Sequence, residues 1–459
     1  MSSGDKINHA QLAEKFIADR ERTDWHNEAV AFLRTKRDMG AATVSEWENL
    51  RQLASEIKEN VLGNLAEYLV QFENAAKKNG VMVHWAKNAE EHNEIITNIL
   101  QKNKVKTLVK SKSMLTEECH LNETLEALNI EVVDTDLGER IIQMRDEGPS
   151  HIVAPAIHIR KEEVGELFHE KLQTKAGISD PKYLTEAARL HLRDKFLKAD
   201  AALTGVNFAV AETGGIVVCT NEGNADMGVH MVPLQIHCMG IEKIIPRAEH
   251  LGVFTRLLAR SATGQPITIY TSHYHRAKRG GEMHIVIVDN GRSKHLGRKD
   301  FKNALKCIRC GACMNSCPVY RRSGGYSYGH TVPGPIGSIL TPGFDLKKYK
   351  DLPFASSLCG ACSDVCPVKI DIHEQLYKWR QIVSEENLLD RKKKWGLKIG
   401  TKILANATLY NWASKAFRFS AKVFPFLVND RHLNPWAKNR KMPKLPDQSF
   451  KEWFQKNKH

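Results

Sequence analysis

The run Cys307-Ile308-Arg309-Cys310-Gly311-Ala312-Cys313-Met314-Asn315-Ser316-Cys317-Pro318 constrains this chain more than any other stretch. It reads C-x2-C-x2-C-x3-C-P, the spacing that holds cubane iron–sulfur clusters. Three thiolates three residues apart on a tight loop converge on one cluster. The fourth, after a longer step and before a helix-stopping proline, points to another. Such a run needs a second copy, and Cys359-Gly360-Ala361-Cys362-Ser363-Asp364-Val365-Cys366-Pro367 supplies it. The echo keeps the last three cysteines of the pattern, and the place of the first falls on Ser356.

Crossing-over assigns Cys307, Cys310, Cys313 and Cys366 to one four-thiolate site, expected to hold a 4Fe-4S cluster. Cys317, Cys359 and Cys362 are left for a second site that is one cysteine short, and a 4Fe-4S or 3Fe-4S cluster is expected there. Serine oxygen is a poorer ligand than thiolate for a soft iron–sulfide cluster, so Ser356 is not expected simply to substitute. A three-iron cluster, a non-cysteine or solvent ligand, and a thiolate from Cys119, Cys219, Cys238 or a partner all stay open. Structural zinc also uses C-x2-C pairs, but the full run with Gly-Ala spacers is far more specific to clusters. Gly311, Ala312, Gly360 and Ala361 let backbone N–H groups approach the sulfides, which helps set reduction potential. Two adjacent one-electron centres point to electron relay.

Seven of the ten cysteines lie between 307 and 366, a clustering that favours metal over disulfides. Residues 1–6 show no apolar leader, and no uninterrupted apolar run is long enough to span a bilayer. The expected compartment is the reducing cytoplasm. Four segments are expected: a helical stretch over 1–78, an α/β domain over 79–290, a two-cluster ferredoxin-type module over 291–376 and a basic, Trp-rich helical segment over 377–459.

In the first, Val44, Trp47, Leu50, Leu53, Ile57, Val61, Leu65, Leu69 and Phe72 recur at steps of three and four, predicting one long amphipathic packing helix. In the second, candidate strands at 81–86, 105–109, 130–133, 152–155, 207–211, 216–220, 232–238, 267–271 and 284–288 alternate with helical patterns. These helices include one capped by Asn88, one opened by Thr116, and others over 160–172, 183–200 and 247–261. Such alternation implies βαβ units and a mostly parallel sheet. Between the cysteine copies, residues 320–353 are rich in Gly and Pro and are expected to form ordered loop without regular structure. From Lys378 onward, 19 Lys and Arg stand against 6 Asp and Glu, so nearly all of the net charge of +14 sits in the last segment. Trp379, Trp395, Trp412, Trp436 and Trp453 lie there too. Apolar positions such as Trp395, Ile399, Leu409, Trp412 and Phe419 alternate with Lys394, Lys398, Lys402, Lys415, Arg418 and Lys422. The stretch reads as a basic amphipathic helix for an acidic partner or an anionic membrane surface, and less as a nucleic-acid contact, since no RNA-binding signature accompanies it.

The α/β part offers weaker candidates. Lys110-Ser111-Lys112-Ser113 ends a strand, where open parallel sheets place anion sites, though a solvated loop reads equally well. Glu212-Thr213-Gly214-Gly215 reads as a hairpin turn. Glu212 and Glu222 are carboxylates on loops, more often solvated than catalytic. His230, His237, His273, His275 and His284 show no metal spacing. No catalytic residue is assigned, and no flavin or nicotinamide signature is found.

The combination of 109–114 (Val-Lys-Ser-Lys-Ser-Met), 211–215 (Ala-Glu-Thr-Gly-Gly), twin cysteine runs around a Gly-Pro insert and a basic tail resembles the bacterial lactate utilization protein B family over essentially the whole chain. The resemblance implies a LUD domain similar to the NagB/RpiA/CoA-transferase-like fold. It also implies a cytoplasmic electron carrier with two iron–sulfur clusters on the seven cysteines, acting while L-lactate is oxidised to pyruvate. Implied partners are a cysteine-rich companion and a smaller LUD protein. Competing expectations are the same relay for another 2-hydroxy acid or a glycerol-phosphate-type dehydrogenase, and an acyl- or CoA-transfer enzyme with auxiliary clusters.

Overall fold

The structure is a computed structural model and describes residues 7–430, 432–434, 437, 443 and 445–457; Trp436 and residues 1–6 lie outside the described residues. The chain divides between Val383 and Ser384 into two compact units.

The larger unit is built on a six-stranded sheet in the order β1-β10-β7-β4-β2-β3. Its strands are β1 Met82–Ala86, β2 Thr107–Lys110, β3 Glu131–Asp134, β4 Ala201–Gly205, β7 Leu234–Gly240 and β10 Glu282–Val288. Every pairing is parallel. Parallel strands need crossovers, and the helices between them bury both faces, so β7 and most of β10 are buried along their length. A second sheet, in the order β8-β5-β6-β9, leans on the first. It comprises β5 Phe208–Val210, β6 Gly215–Thr220, β8 Ile244–Ile245 and β9 Tyr270–Tyr274. Glu212 to Gly214 turns the β5/β6 hairpin, with Gly214 at φ +67°. The α/β class expected from the alternation is what the chain adopts.

Several elements depart from expectation. The long first helix is broken into Trp47–Gly63 and Leu65–Lys78, because Gly63 weakens the helix and Asn64 turns back to donate to the Asn60 carbonyl at 3.0 Å. Leu53 on the expected stripe is exposed. Ser113, not Thr116, caps the helix Met114–Glu118. Residues 152–155 form no strand; they belong to an irregular buried strap, held where His151 Nδ1 accepts the amides of Val153 and Ala154. The central strand β4 was not expected at all. The Gly-Pro insert contains the helix Gly334–Phe344, almost wholly buried, with Pro342 in its last turn. Trp379 belongs to the core of the larger unit: its ring stacks on Phe301 at 4.1 Å and its indole N–H donates to the Ile339 carbonyl at 2.9 Å.

The smaller unit is helical, with Arg391–Leu404, Ala407–Val423, Phe426–Asn429 and Phe450–Lys456. Arg418 pairs with Glu452 at 3.1 Å and Lys422 with Asp447 at 2.9 Å. The helix Arg391–Leu404 buries none of its residues, and Trp395, Trp412 and Phe419 are exposed. Among the described residues no helix is long and apolar enough to cross a membrane.

Candidate functional site

The two cysteine runs share one backbone course. In the first, Arg309 takes φ +61° and Gly311 φ +77° before the helix Ala312–Ser316. In the second, Leu358 takes φ +55° and Gly360 φ +81° before the helix Ala361–Asp364. Left-handed residues two apart curl each loop tightly enough for side chains three residues apart to face inward, and glycine at the second of them avoids the Cβ penalty.

Cys307, Cys310, Cys313 and Cys366 line one small cavity, closed by apolar side chains including Ile336 and Ile370. The Arg309 amide donates to Cys307 Sγ at 3.4 Å and the Ile370 amide to Cys366 Sγ at 3.3 Å. Burial and the neighbouring thiols push the Cys310 and Cys313 thiols up, and Cys366 up to about 11. Of the three cysteines that the spacing leaves for a second site, Cys317 and Cys362 are buried and Cys359 is exposed. Burial pushes Cys362 up to about 12, whereas the Ala361 amide and the Ser357 hydroxyl lower the exposed Cys359. The Tyr320 amide donates to Cys317 Sγ at 3.5 Å. Among the described residues no group of three or more His, Cys, Asp or Glu is close enough to hold a single metal ion, so the thiols surround a space rather than a point. Crowded thiols, costly to ionise alone, would be held as thiolates by a cationic cluster, and the amide donors suit its sulfurs. These residues fit an iron–sulfur cluster.

Cationic side chains from the N-terminal helices hold the loops, a feature that amphipathic patterning hid because these residues read as a solvated face. Arg51 Nε and Nη2 both donate to the Cys366 carbonyl, at 3.0 and 2.9 Å, and Nη2 also reaches the Asp364 carbonyl at 2.5 Å. Arg37 donates to the Val365 carbonyl at 3.1 Å, and Arg34 to Ser316 Oγ at 2.5 Å. Lys306, just before the first run, bonds Glu59 at 2.7 Å.

A cleft of about 510 Å³ opens outside the carboxyl ends of the sheet strands, the place where open α/β sheets bind ligands. Lys112, Asp136, Gly205 and Lys243 line it from the α/β domain, and Arg309 and Cys310 form part of its far wall. A chain of buried charges joins the two sides. Arg309 lies 3.6 Å from Glu242, Arg292 2.8 Å from Glu242, and Arg292 3.0 Å from Glu118. Despite the cost of burying it, Glu242 is held down to about 2 by Arg292 and Arg309.

The weaker sequence candidates separate here. Lys110 is wholly buried and pairs with Asp134 at 3.0 Å and with Glu117, so it is neither a solvated loop residue nor free for an anion. Lys112 lines the cleft and donates to the Val153 carbonyl at 2.8 Å. Glu212 accepts the Ala248 amide in the hairpin region. Glu222 stands at the cleft rim; although its side chain still meets solvent, surrounding protein and the Asp136 carboxylate push it up to about 7. His237 is buried against Thr204, His284 bonds His84, His230 bonds the Asp226 carbonyl, and His273 and His275 are exposed. Cys119 and Cys238 are packed in the sheet core, and Cys219 sits on β6 at the cleft.

Residues 69–295 match the LUD domain family and residues 303–370 the 4Fe-4S dicluster domain family. The fold and the cysteine loops thus define an iron–sulfur protein in which a LUD domain is joined to a dicluster module. The similarity runs further than the two domains. The chain is 44% identical to lactate utilization protein B of Anoxybacillus flavithermus over 440 residues, covering 92% of each chain. It is 42% identical to the proteins of that name from Bacillus cytotoxicus and Bacillus anthracis, covering 93% of this chain and 92% of each of theirs. It belongs to the lactate utilization protein B family.

Proposed function

We propose that this chain is the electron-transferring iron–sulfur component of a system that oxidises L-lactate to pyruvate. The observation that carries the reading is the pair of backbone-equivalent cysteine loops. Cys307, Cys310, Cys313 and Cys366 would hold a 4Fe-4S cluster in the buried site, and Cys317, Cys359 and Cys362 would hold the second cluster nearer the surface. The clusters, when bound, supply one-electron chemistry. The chain's residues bury the first site, set amides against its sulfurs and place Cys359 at solvent. The names of the relatives support lactate as the substrate of the system. Companion proteins, one cysteine-rich and one a smaller LUD protein, would exchange electrons with it in the cytoplasm. The exposed aromatic and basic residues of the last segment suit an acidic partner or an anionic membrane surface.

Protein purified without oxygen is expected to show broad visible absorption that bleaches on reduction, with matching iron and sulfide. A deletion strain is expected to lose growth on lactate and keep growth on glycolate. A colourless, zinc-loaded protein would overturn the reading, and loss of growth on glycolate alone would move it to another 2-hydroxy acid.

A further inference from the structure

The second cysteine loop is one thiol short, and the side chain in the missing place makes the contact that the missing thiol would make. The Leu358 amide donates to Ser356 Oγ at 3.1 Å, as the Arg309 amide donates to Cys307 Sγ at 3.4 Å. Both donors lie two residues on, and both adopt left-handed backbone, at φ +55° and +61°. The matching Gly360 and Gly311 follow, at φ +81° and +77°. Cys307 faces the cavity shared with Cys310, Cys313 and Cys366. By the same turn, Ser356 takes in the second loop the place that Cys307 takes in the first. The loop is also fixed from outside: Arg380 donates to the Ser356 carbonyl at 2.7 Å and to the Pro353 carbonyl at 2.9 Å.

We propose that Ser356 Oγ is the fourth protein ligand of the second cluster and makes it a 4Fe-4S centre; this rests on the two-cluster reading above. On binding, the Ser356 hydroxyl proton passes to solvent, an Oγ–Fe bond forms, and the water on that iron leaves. No electron moves. The softness argument against serine holds for a free ligand. Here three thiolates already hold the cluster and a hydrogen-bonded turn presents the oxygen, so the fourth bond closes at high effective concentration. A hard alkoxide favours ferric iron, so it should lower the potential of this cluster relative to thiolate ligation.

The test uses anaerobically purified full-length protein, with Ser356→Ala and Ser356→Cys compared to wild type by iron content, EPR of both redox states and redox titration. Wild type is expected to carry about eight irons per chain, and Ser356→Ala about seven with a three-iron signal in the oxidised state. Ser356→Cys is expected to keep about eight with a raised potential for one cluster only. The unchanged signal of the first cluster reports that each variant is folded. Ser356→Ala with wild-type iron, EPR and potential would overturn the inference and leave solvent or a partner as ligand. A wild-type three-iron signal would also overturn it, and absence of both clusters would overturn the two-cluster reading as well.

A different observation carries a second inference. Lys243 lies half-buried in the cleft wall, and among the described residues no hydrogen-bonding or ion-pair partner reaches its ammonium. Thr220, also in the wall, has a buried hydroxyl without a partner. Ile152, Leu258 and Ala262 make another part of the lining apolar. A half-buried ammonium with no partner, beside an unpartnered hydroxyl and an apolar wall, is a ready seat for an anion. The geometry points to an organic anion with an apolar body as the occupant of this cleft, its carboxylate or phosphate on Lys243.

Calorimetry with octanoate and with phenyl phosphate on the full-length holoprotein separates the two head groups. One of them is expected to bind one-to-one, at least tenfold weaker in Lys243→Met and retained in Lys243→Arg. Because Cys310 shares the wall, the anion is expected to bind several-fold more weakly once the clusters are reduced. Binding of neither probe or undiminished binding in Lys243→Met would overturn this inference.

Discussion

Replacing Arg51 by Met should loosen the first cluster from a distance. The guanidinium makes three hydrogen bonds to two carbonyls, those of Cys366 and Asp364, and Cys366 is the residue by which the second loop closes the buried site. A hydrogen bond to a charged group contributes about 1.5–3 kcal/mol net. Bonds that share an acceptor do not add, so two acceptors give about 3–6 kcal/mol as an upper bound. Methionine recovers part of this by burying its own apolar surface, and about 3 kcal/mol remains as the expected loss. If the loop must open for the cluster to leave, 3 kcal/mol off that barrier speeds release by roughly a hundredfold. The assay is the decay of visible absorption of anaerobic holoprotein under mild heating, read alongside the urea midpoint. Arg51→Lys should fall between, because an ammonium cannot span both partners. A decay rate within twofold of wild type for Arg51→Met would refute the clamp.

Other expectations follow from the same geometry. Cys366→Ser should disturb the cluster of the first loop and Cys317→Ser that of the second, the reverse of what sequence position suggests, as separate EPR components would report. His237 is fully buried and burial drives it down to about 3, so it stays neutral in the fold while the unfolded chain takes up a proton below about 6.5. The stability it supports is present above that pH and is lost as pH falls, by about 1.4 kcal/mol at pH 5.5; urea midpoints at two pH values should show a smaller acid loss in His237→Gln. A methyl at Gly337 would stand 1.7 Å from the Val332 carbonyl, so Gly337→Ala should prevent the cluster module from folding and give little iron-loaded protein.

The cluster loops were legible because ligand chemistry fixes spacing, and no other arrangement of the chain reproduces C-x2-C-x2-C-x3-C-P. Most strands of the parallel sheet were legible for a similar reason, since burial on both faces demands short apolar runs. The strand β4 was hidden because Ala-Ala-Leu-Thr-Gly carries little β-branched bulk, yet its small residues are what allow the loop at Lys112 and Ser113 to pass within 3.2 Å of a side-chain position at Gly205. Residues 152–155 look like a strand because they are buried, but they are buried against the first cluster loop, at Gly311, rather than within a sheet. Glycine and proline disguised the helix Gly334–Phe344. The clamp by Arg37 and Arg51 joins residues more than 300 apart in sequence, and no local pattern encodes such a contact.

The contrast between the first site, where Cys310, Cys313 and Cys366 are buried and Cys307 half-buried, and the exposed Cys359 bears on how such a protein ages. A solvent-facing cysteine is where oxidants begin, passing through sulfenic to irreversible acids. Damage should therefore run from the outside inward, with a cluster at the second site lost before one at the first. If the second loop holds the outer cluster of the proposed relay, that loop is the fuse of the assembly.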